Sequence, residues 1–151
     1  MSFSTVPESG LRMSEILAEE LPGYPVAALS GPSHAEEVAR EMPTGCVAAC
    51  PEKAIAEWVQ GIFMNPSFRV YSSTDITGVE LCGAAKNIIA LAAGMAEGMG
   101  CGDNAKALMM SRALVELSSL IKAAGGQENT CFGLAGMGDM IVTCTSPHSR
   151  N

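Results

Sequence analysis

The chain has 151 residues, of which 48% are hydrophobic and 17% are charged, a composition that excludes an intrinsically disordered protein. Its 16 acidic residues against 9 Lys and Arg give a formal net charge of −7, which argues against nucleic acid as a partner. Gly, Glu, Lys or Asn interrupts every apolar stretch before it is long enough for a membrane span, so no integral membrane association is predicted.

The first half of the chain alternates helical and strand-like patterns. Helices are predicted over 11–20 and from Pro51 onward, with the proline in the first turn of the second helix. Short apolar runs at 25–30, 45–50 and 68–72 are predicted strands, and strands that alternate with helices favour a parallel α/β sheet. The apolar residues of the second helix form one face: Ile55, Trp58, Val59, Ile62 and Phe63.

After residue 74 the pattern becomes helical. A long helix over about 76–99 follows cap residues at 73–75, and we expect it to be buried because it is apolar nearly all round. Asp103 and Asn104 are predicted to cap a helix over roughly 105–124, which Gly125 and Gly126 close. A glycine-rich turn at 133–138 then leads into a short segment from Asp139.

Cysteine and histidine usage indicates the compartment. The six cysteines form no C-x-x-C pair and the two histidines lie far apart, so no metal site is predicted. We expect the cysteines to be free and to pack as small apolar side chains. The N-terminus lacks the basic start and apolar run of a signal peptide. These features predict a cytoplasmic protein.

Lys86 stands in the middle of the long predicted helix, among small and apolar residues. An ammonium group there is costly unless it is paired or faces a cleft, where it can donate or accept a proton. The alternative is a lysine that extends into solvent from a partly exposed helix, and the local sequence favours that alternative. The neighbouring Asn87 either binds a ligand or bonds to nearby backbone.

The turn from Gly31 to Ala35 directly follows a predicted strand. In open α/β sheets the carboxyl ends of the strands border the ligand crevice. Gly31 would let backbone N–H groups approach a ligand, and Ser33 could donate a hydrogen bond to it. An ordinary strand-to-helix turn would have the same sequence, and we interpret His34 as a turn residue.

The C-terminal run carries Asp139, with Thr143 one helical turn later, and ends in Ser149-Arg150-Asn151. Arginine can bind a phosphate with two parallel hydrogen bonds, and Ser and Asn add neutral donors. Taken alone, such a tripeptide is also common on protein surfaces. The G-x-G-x-x-G fingerprint of a whole dinucleotide-binding domain does not occur in the sequence.

Five motifs together resemble the NAD(P)-dependent glycerol-3-phosphate dehydrogenase family, bacterial type. Each motif is weak alone, but the five occur in the family's order with matching spacings, and the resemblance covers nearly all of the chain except its first few residues. They are Leu-Ser-Gly-Pro-Ser-His-Ala from Leu29, Asp-Ile-Thr-Gly-Val-Glu-Leu-Cys-Gly-Ala-Ala-Lys-Asn-Ile-Ile-Ala from Asp75, Gly-Asp-Asn-Ala-Lys-Ala from Gly102, Gly-Leu-Ala-Gly-Met-Gly-Asp from Gly133 and Ser-Arg-Asn from Ser149.

The resemblance implies a reaction and a set of site residues. The reaction is the reversible reduction of dihydroxyacetone phosphate to sn-glycerol 3-phosphate by NADH or NADPH, without a metal, feeding glycerophospholipid synthesis. Lys86 would be the catalytic proton donor or acceptor, supported by Asp139, with Asn87 and Thr143 as catalytic neighbours. The implied substrate-binding residues are Gly31, Ser33, Lys86, Asp139, Ser149, Arg150 and Asn151, and the implied cofactor contacts are Ala35 and Arg150.

The resemblance also implies an α/β remnant of a Rossmann domain, residues 1–74, followed by residues 75–151 of an all-α substrate domain like that of 6-phosphogluconate dehydrogenase. The glycine fingerprint, the first Rossmann strands and the final helices of the family do not occur in the sequence. We therefore expect a fragment of a homodimeric enzyme that alone binds NAD(H) weakly or not at all. The choice between NADH and NADPH stays open, because the residue that distinguishes them lies in the missing part.

Two other interpretations stay open at this point. Another dehydrogenase with a helical substrate domain, of the 3-hydroxyacid or 6-phosphogluconate type, also uses a lysine and an asparagine on a helix. The Gly-Pro-Ser turn and the Ser-Arg-Asn ending favour the glycerol-phosphate enzyme over it. The second alternative is a non-catalytic helical interaction module, and the presence of Lys86, Asp139 and Arg150 counts against it.

Overall fold

The computed structural model describes residues 10–146, which form a small sheet and a larger group of helices. A sheet-containing first half and an all-helical second half confirm the predicted fold class. In chain order the elements are α1 (Met13–Glu20), β1 (Ala28–Ser30), α2 (Ala35–Val38), β2 (Thr44–Ala49), α3 (Lys53–Phe63), β3 (Phe68–Ser73), α4 (Ile76–Gly98), α5 (Asp103–Ala123), a 3₁₀ helix (Glu128–Phe132), a π helix (Leu134–Gly138) and α6 (Asp139–Thr145).

The sheet has the strand order β1-β2-β3 and is mixed. Strands β2 and β3 are parallel, and α3 connects them and packs against both. Strand β1 is antiparallel to β2, with Ala28 opposite Ala49, so the prediction of a fully parallel sheet is wrong for β1. A parallel crossover usually runs through a full helix, whereas the connection 31–43 holds only the four-residue α2.

The core has two parts. The smaller lies between the sheet and α3 and contains Cys46, Ala48 and Val70. The larger lies between α4 and the elements packed around it, namely β1, α5, the 3₁₀ and π helices and α6. All six cysteines lie within the described residues and are free as predicted, but Cys101 is exposed, so the prediction that they pack as apolar side chains is wrong for Cys101. The larger core is formed by Ala28, Ala49, Ile76, Val79, Cys82, Leu117, Ile121, Cys131, Ala135 and Met140.

Helix α4 is buried on one side only, which corrects the expectation that it is buried all round. Ile88 is 74% exposed and Leu91 57% exposed, because nothing within residues 10–146 covers the outer side of the second half of α4.

By length and hydropathy α4 could cross a membrane. However, it packs against the sheet and four helical elements and carries the charged Glu80 and Lys86, as a core helix does. The apolar face of α3 is also largely exposed, with Trp58 at 66%.

The helix ends follow the predicted caps in part. The side chain of Asp75 accepts a hydrogen bond from the Gly78 N–H and so caps α4 as predicted. Gly125 has a φ of +83°, and the Gly126 N–H donates to the Ile121 carbonyl at 2.9 Å, which closes α5 in a Schellman motif. Two predictions are off by one or two positions. Gly102, not Asp103, is the N-cap of α5, and α3 begins at Lys53, so Pro51 lies before its first turn.

Candidate active site

Lys86 and Asp139 meet where α4 packs against α6. The Lys86 Nζ lies 2.5 Å from Asp139 Oδ2, and the two side chains are 22% and 6% exposed. The ammonium group is therefore paired and mostly removed from water, so the alternative of a lysine extending freely into solvent is wrong. Asp139 is the first residue of α6, which continues directly from the π helix 134–138.

Thr143 lies one turn after Asp139 on α6 and is buried. Its hydroxyl donates to the Asp139 carbonyl at 2.6 Å, and its oxygen is 3.4 Å from Asp139 Oδ1. A threonine that bonds back to the carbonyl of the preceding turn holds its side chain against the helix. Asn87 follows Lys86 on α4 and is half-buried. The structure thus brings Lys86, Asp139 and Thr143 together, with Asn87 next along the helix.

The π helix sets the position of Asp139. It folds back so tightly that a Cβ on Gly136 would lie 2.1 Å from the Cys131 carbonyl oxygen, so only glycine fits there. A Cβ on Gly138 would lie 3.5 Å from the ring of Pro32, which shows that the turn after β1 runs beside the residue that precedes Asp139. The glycine-rich run therefore lets the π helix pack closely on Cys131 at Gly136 and lie beside Pro32 at Gly138.

The turn after β1 is held by close backbone packing. Gly31 is buried with a φ of +151°, and a Cβ there would lie 2.7 Å from Cys46 Cα, so this position requires glycine. The Ser33 hydroxyl donates to the Gly31 carbonyl at 3.1 Å, and Ser33 itself is exposed. Ala35 is the exposed first residue of α2. Within this turn, the ring of Pro32 lies beside Gly138, the residue that precedes Asp139.

Three predicted site residues, Ser149, Arg150 and Asn151, lie outside the described residues. Within residues 10–146 no three or more His, Cys, Asp or Glu side chains are grouped so that they could hold a metal ion.

Sequence reasoning missed one buried carboxylate on the helix that carries Lys86 and recognised the role of a second, at the start of that helix, only in part. Asp75 was predicted only as a helix cap, yet it also bonds to the Gln127 N–H and the Thr130 hydroxyl. Glu80 was not singled out, although it is buried and binds Arg12 and Ser14. An acidic residue within an apolar helix is the same signal that drew attention to Lys86, and it would have identified Glu80.

Cys82 lies on α4, one turn before Lys86. Burial raises the pKa of its thiol to about 12, and coulombic interactions with Cys131, Asp75 and Asp139 add to the increase. Burial also raises the pKa of Cys46 to about 11. Both thiols are therefore neutral near pH 7, and Cys82 acts as an apolar packing residue beneath the site, not as a nucleophile.

Two family models match this chain. The description "NAD-dependent glycerol-3-phosphate dehydrogenase C-terminus" matches residues 75–151, and the corresponding N-terminus description matches residues 5–56.

Individual relatives agree with these matches. The chain is 56% identical over 146 residues to glycerol-3-phosphate dehydrogenase [NAD(P)+] of Chlorobium luteolum, covering 95% of this chain and 44% of that protein. To the protein of the same name from Desulfitobacterium hafniense it is 57% identical over 140 residues, covering 93% and 40%. The chain thus spans less than half the length of these curated relatives.

Solved structures show the same similarity. The crystal structure of glycerol-3-phosphate dehydrogenase from Coxiella burnetii superposes with a TM-score of 0.86 at 42% identity, covering 90% of this chain and 42% of that one. The structure described as DsGPDH of Dunaliella salina superposes with a TM-score of 0.87 at 27% identity, covering 97% and 25%.

Proposed function

Because this chain belongs to the NAD-dependent glycerol-3-phosphate dehydrogenase family, we propose that it acts in the reversible reduction of dihydroxyacetone phosphate to sn-glycerol 3-phosphate. The observation that carries the proposal is the contact of Lys86 with Asp139 across α4 and α6. It places a mostly buried cation on a core helix. A carbonyl reduction needs a proton donor, and an ammonium group can serve as one.

Lys86 is the proton donor in this proposal. As the carbonyl carbon is reduced, negative charge develops on its oxygen, and an ammonium group nearby stabilises that charge and gives the oxygen a proton. In the reverse direction the neutral amine takes the proton from the hydroxyl group. Asp139 orients the ammonium through their ion pair. Thr143 holds its hydroxyl beside that carboxylate.

The turn after β1 is the proposed place for substrate and coenzyme. Gly31 and Ser33 would contact the substrate, and Ala35 would lie against the nicotinamide ring. The small, exposed Ala35 at the start of α2 leaves its side of the turn open, so the residues present fit a flat ring there. NADH or NADPH, when bound, supplies or accepts the hydride. The terminal Ser149, Arg150 and Asn151 are proposed to bind the substrate, with Arg150 also reaching the coenzyme.

The remaining assignments follow from the family. We propose that the enzyme supplies sn-glycerol 3-phosphate for glycerophospholipids in the cytoplasm and that its full-length form is a homodimer. Residues 1–74 would belong to the coenzyme-binding domain and residues 75–151 to the helical substrate domain. The free, mostly buried cysteines are consistent with a reducing compartment.

An exchange experiment tests the proposed function. The chain replaces the matching stretch of the Chlorobium luteolum protein, with which it is 56% identical, and the chimera is assayed with dihydroxyacetone phosphate and NADH or NADPH. We expect turnover in the chimera and a loss of turnover of at least about 100-fold in its Lys86→Ala variant, as for removal of a general acid.

A second experiment uses the purified 151-residue chain alone. In calorimetry we expect it to bind NAD(H) weakly or not at all.

Lys53→Ala provides the matched control, because Lys53 is an exposed lysine on α3 and its removal should leave turnover unchanged. Activity of the Lys86→Ala chimera within a few-fold of the parent chimera would remove Lys86 from this role. A folded chimera without activity would support the alternative of a non-catalytic helical module.

A further inference from the structure

We propose that Asp75 is a positioning residue for the catalytic pair: it fixes the segment 127–139 against α4 and so holds Asp139 on Lys86. This inference deepens the proposed function and rests on it, because it concerns how the Lys86–Asp139 pair is maintained. Asp75 does not touch the pair and lies at the opposite end of the contact between the segment and α4.

Asp75 joins the start of α4 to the start of the segment. Its carboxylate is buried and accepts a hydrogen bond on Oδ1 from the Gly78 N–H at 2.9 Å. On Oδ2 it accepts one from the Gln127 N–H at 2.9 Å and one from the Thr130 hydroxyl at 2.6 Å. Only the first of these bonds is needed to cap the helix. The other two attach a part of the chain more than fifty residues away.

Close packing leaves this junction little freedom to move. A Cβ on Gly78 would lie 3.0 Å from the Thr130 Cβ. A Cβ on Gly126 would lie 2.8 Å from Ile121 Cγ2 and 3.1 Å from Asp75 Oδ1. The first turn of α4 thus lies against Thr130 of the 3₁₀ helix and against Gly126, just after α5, so closely that neither glycine leaves room for a side chain. The hydrogen bonds of Asp75 sit inside this contact.

The stretch from Thr130 to Asp139 is short and compact, so a displacement at one end affects the other. It consists of the end of the 3₁₀ helix, with buried Cys131, and the π helix that folds back on it at Gly136. Asp75 and Lys86 lie three turns apart on α4, about 16 Å. The segment is therefore attached to α4 by charge-assisted hydrogen bonds at both ends, with the core between them.

Glu80 provides a control that distinguishes a positioning role of Asp75 from a general contribution to stability. It is a buried carboxylate on the same helix, between Asp75 and Lys86, but its partners are Arg12 and Ser14 on the other side. A Glu80→Gln variant loses a buried charge as Asp75→Asn does, yet it leaves the contacts of the segment 127–139 intact. Only a positioning role predicts that Asp75→Asn and Glu80→Gln differ in the chemical reactivity of the Lys86 amine.

The experiment measures competitive acetylation of Lys86 by acetic anhydride in the purified 151-residue chain, read by mass spectrometry at one pH. An ion-paired amine reacts through states in which the pair is open, so its rate reports the open fraction. Asp139→Asn should raise the acetylation rate of Lys86 about fivefold, because it removes the ion pair. Asp75→Asn should raise that rate at least about threefold, because an amide at position 75 cannot accept all three hydrogen bonds that the carboxylate accepts. Glu80→Gln should leave the rate unchanged.

Thr130 gives a milder pair of variants in case Asp75→Asn does not fold. Thr130→Val removes one donor to Asp75 at nearly constant volume and should raise the acetylation rate of Lys86. Thr130→Ser keeps the hydroxyl, so Lys86 should react at the parent rate in that variant. Urea unfolding of each variant checks that it is folded under labelling conditions.

Three results would overturn the proposal, and the first two concern the positioning variants and their control. One is a parent-like Lys86 rate in folded Asp75→Asn or Thr130→Val; the other is an equal increase in Glu80→Gln. An unchanged rate in Asp139→Asn would show that the ion pair does not protect Lys86 and would also overturn it. The expected labelling pattern together with an inactive chimera would instead leave the positioning intact and reject the proposed function.

Discussion

Glu80 accepts two hydrogen bonds from Ser14, one from its backbone N–H at 2.8 Å and one from its hydroxyl at 2.5 Å. The Arg12 guanidinium donates a third at 2.9 Å. Arg12 and Ser14 lie at the start of α1, before the sheet, and Glu80 lies on α4, after it. The buried carboxylate thus fastens the first helix to the helix that carries Lys86, and its charge is compensated by one cation and two neutral donors.

Removing this carboxylate should destabilise the fold strongly. Glu80→Ala leaves the buried Ser14 and part of the Arg12 charge without an acceptor, so we expect the free energy of unfolding to fall by about 3 kcal/mol. Urea unfolding followed by circular dichroism measures the change. Glu57→Ala, which removes an exposed glutamate on α3, is the control and should have no clear effect. A loss as small as that of Glu57→Ala would show that the three hydrogen bonds add little to stability.

The Lys86–Asp139 pair should be strongly coupled in folding. Lys86→Met leaves the carboxylate of Asp139 buried without a cation and should cost about 3 kcal/mol. In the double variant with Asp139→Asn part of that loss should return, giving a coupling energy of about 1–3 kcal/mol in a double-mutant cycle. The exposed pair Arg112–Glu116 on α5 provides the comparison, and its coupling should be close to zero. Equal coupling in the two cycles would contradict the description of Lys86 as a shielded cation.

Local signals in the sequence predicted most elements within two or three residues. The strand at 45–50 is observed as Thr44–Ala49 and the helix at 105–124 as Asp103–Ala123. The direction of β1 was not predictable in this way, because it depends on how the short connection 31–43 can run. The exposure of Ile88 was not predictable either, because an apolar residue does not reveal whether another element covers it.

The candidate site was predicted by resemblance, not by local pattern. Lys86 and Asp139 are 53 residues apart, and no spacing rule links residues on two helices joined by such a stretch. Local reasoning favoured an exposed lysine, and the resemblance corrected this. The bonds from Asp75 to Thr130 and from Glu80 to Ser14 were missed for the same reason, since their partners lie 55 and 66 residues away.

Gly31 should tolerate no side chain. Its φ of +151° disfavours other residues, and a Cβ would lie 2.7 Å from Cys46 Cα on the buried strand β2, so Gly31→Ala should cost about 2–4 kcal/mol through strain and displacement of the strand. Gly23→Ala is the control, because Gly23 also has a positive φ but has nothing within 4 Å of the Cβ position. It should cost about 1 kcal/mol. Similar losses in urea unfolding for the two variants would mean that backbone conformation, not close packing, sets the requirement at Gly31.

Alkaline pH should weaken the fold through Cys82. Burial raises the pKa of its thiol from 9.0 to about 12. Above pH 9 the unfolded chain therefore releases a proton that the folded chain keeps, which favours unfolding. The stability that this thiol contributes is fully present below pH 9 and is lost as the pH rises toward 12, by up to about 1.4 kcal/mol per pH unit. The free energy of unfolding, measured in urea between about pH 8 and 10.5, should decline less steeply with pH in Cys82→Ala than in the parent chain. The control is Cys101→Ala, which removes an exposed thiol and should keep the slope of the parent chain. Parallel slopes for the parent and Cys82→Ala would show that the Cys82 thiol titrates alike in the folded and unfolded chain.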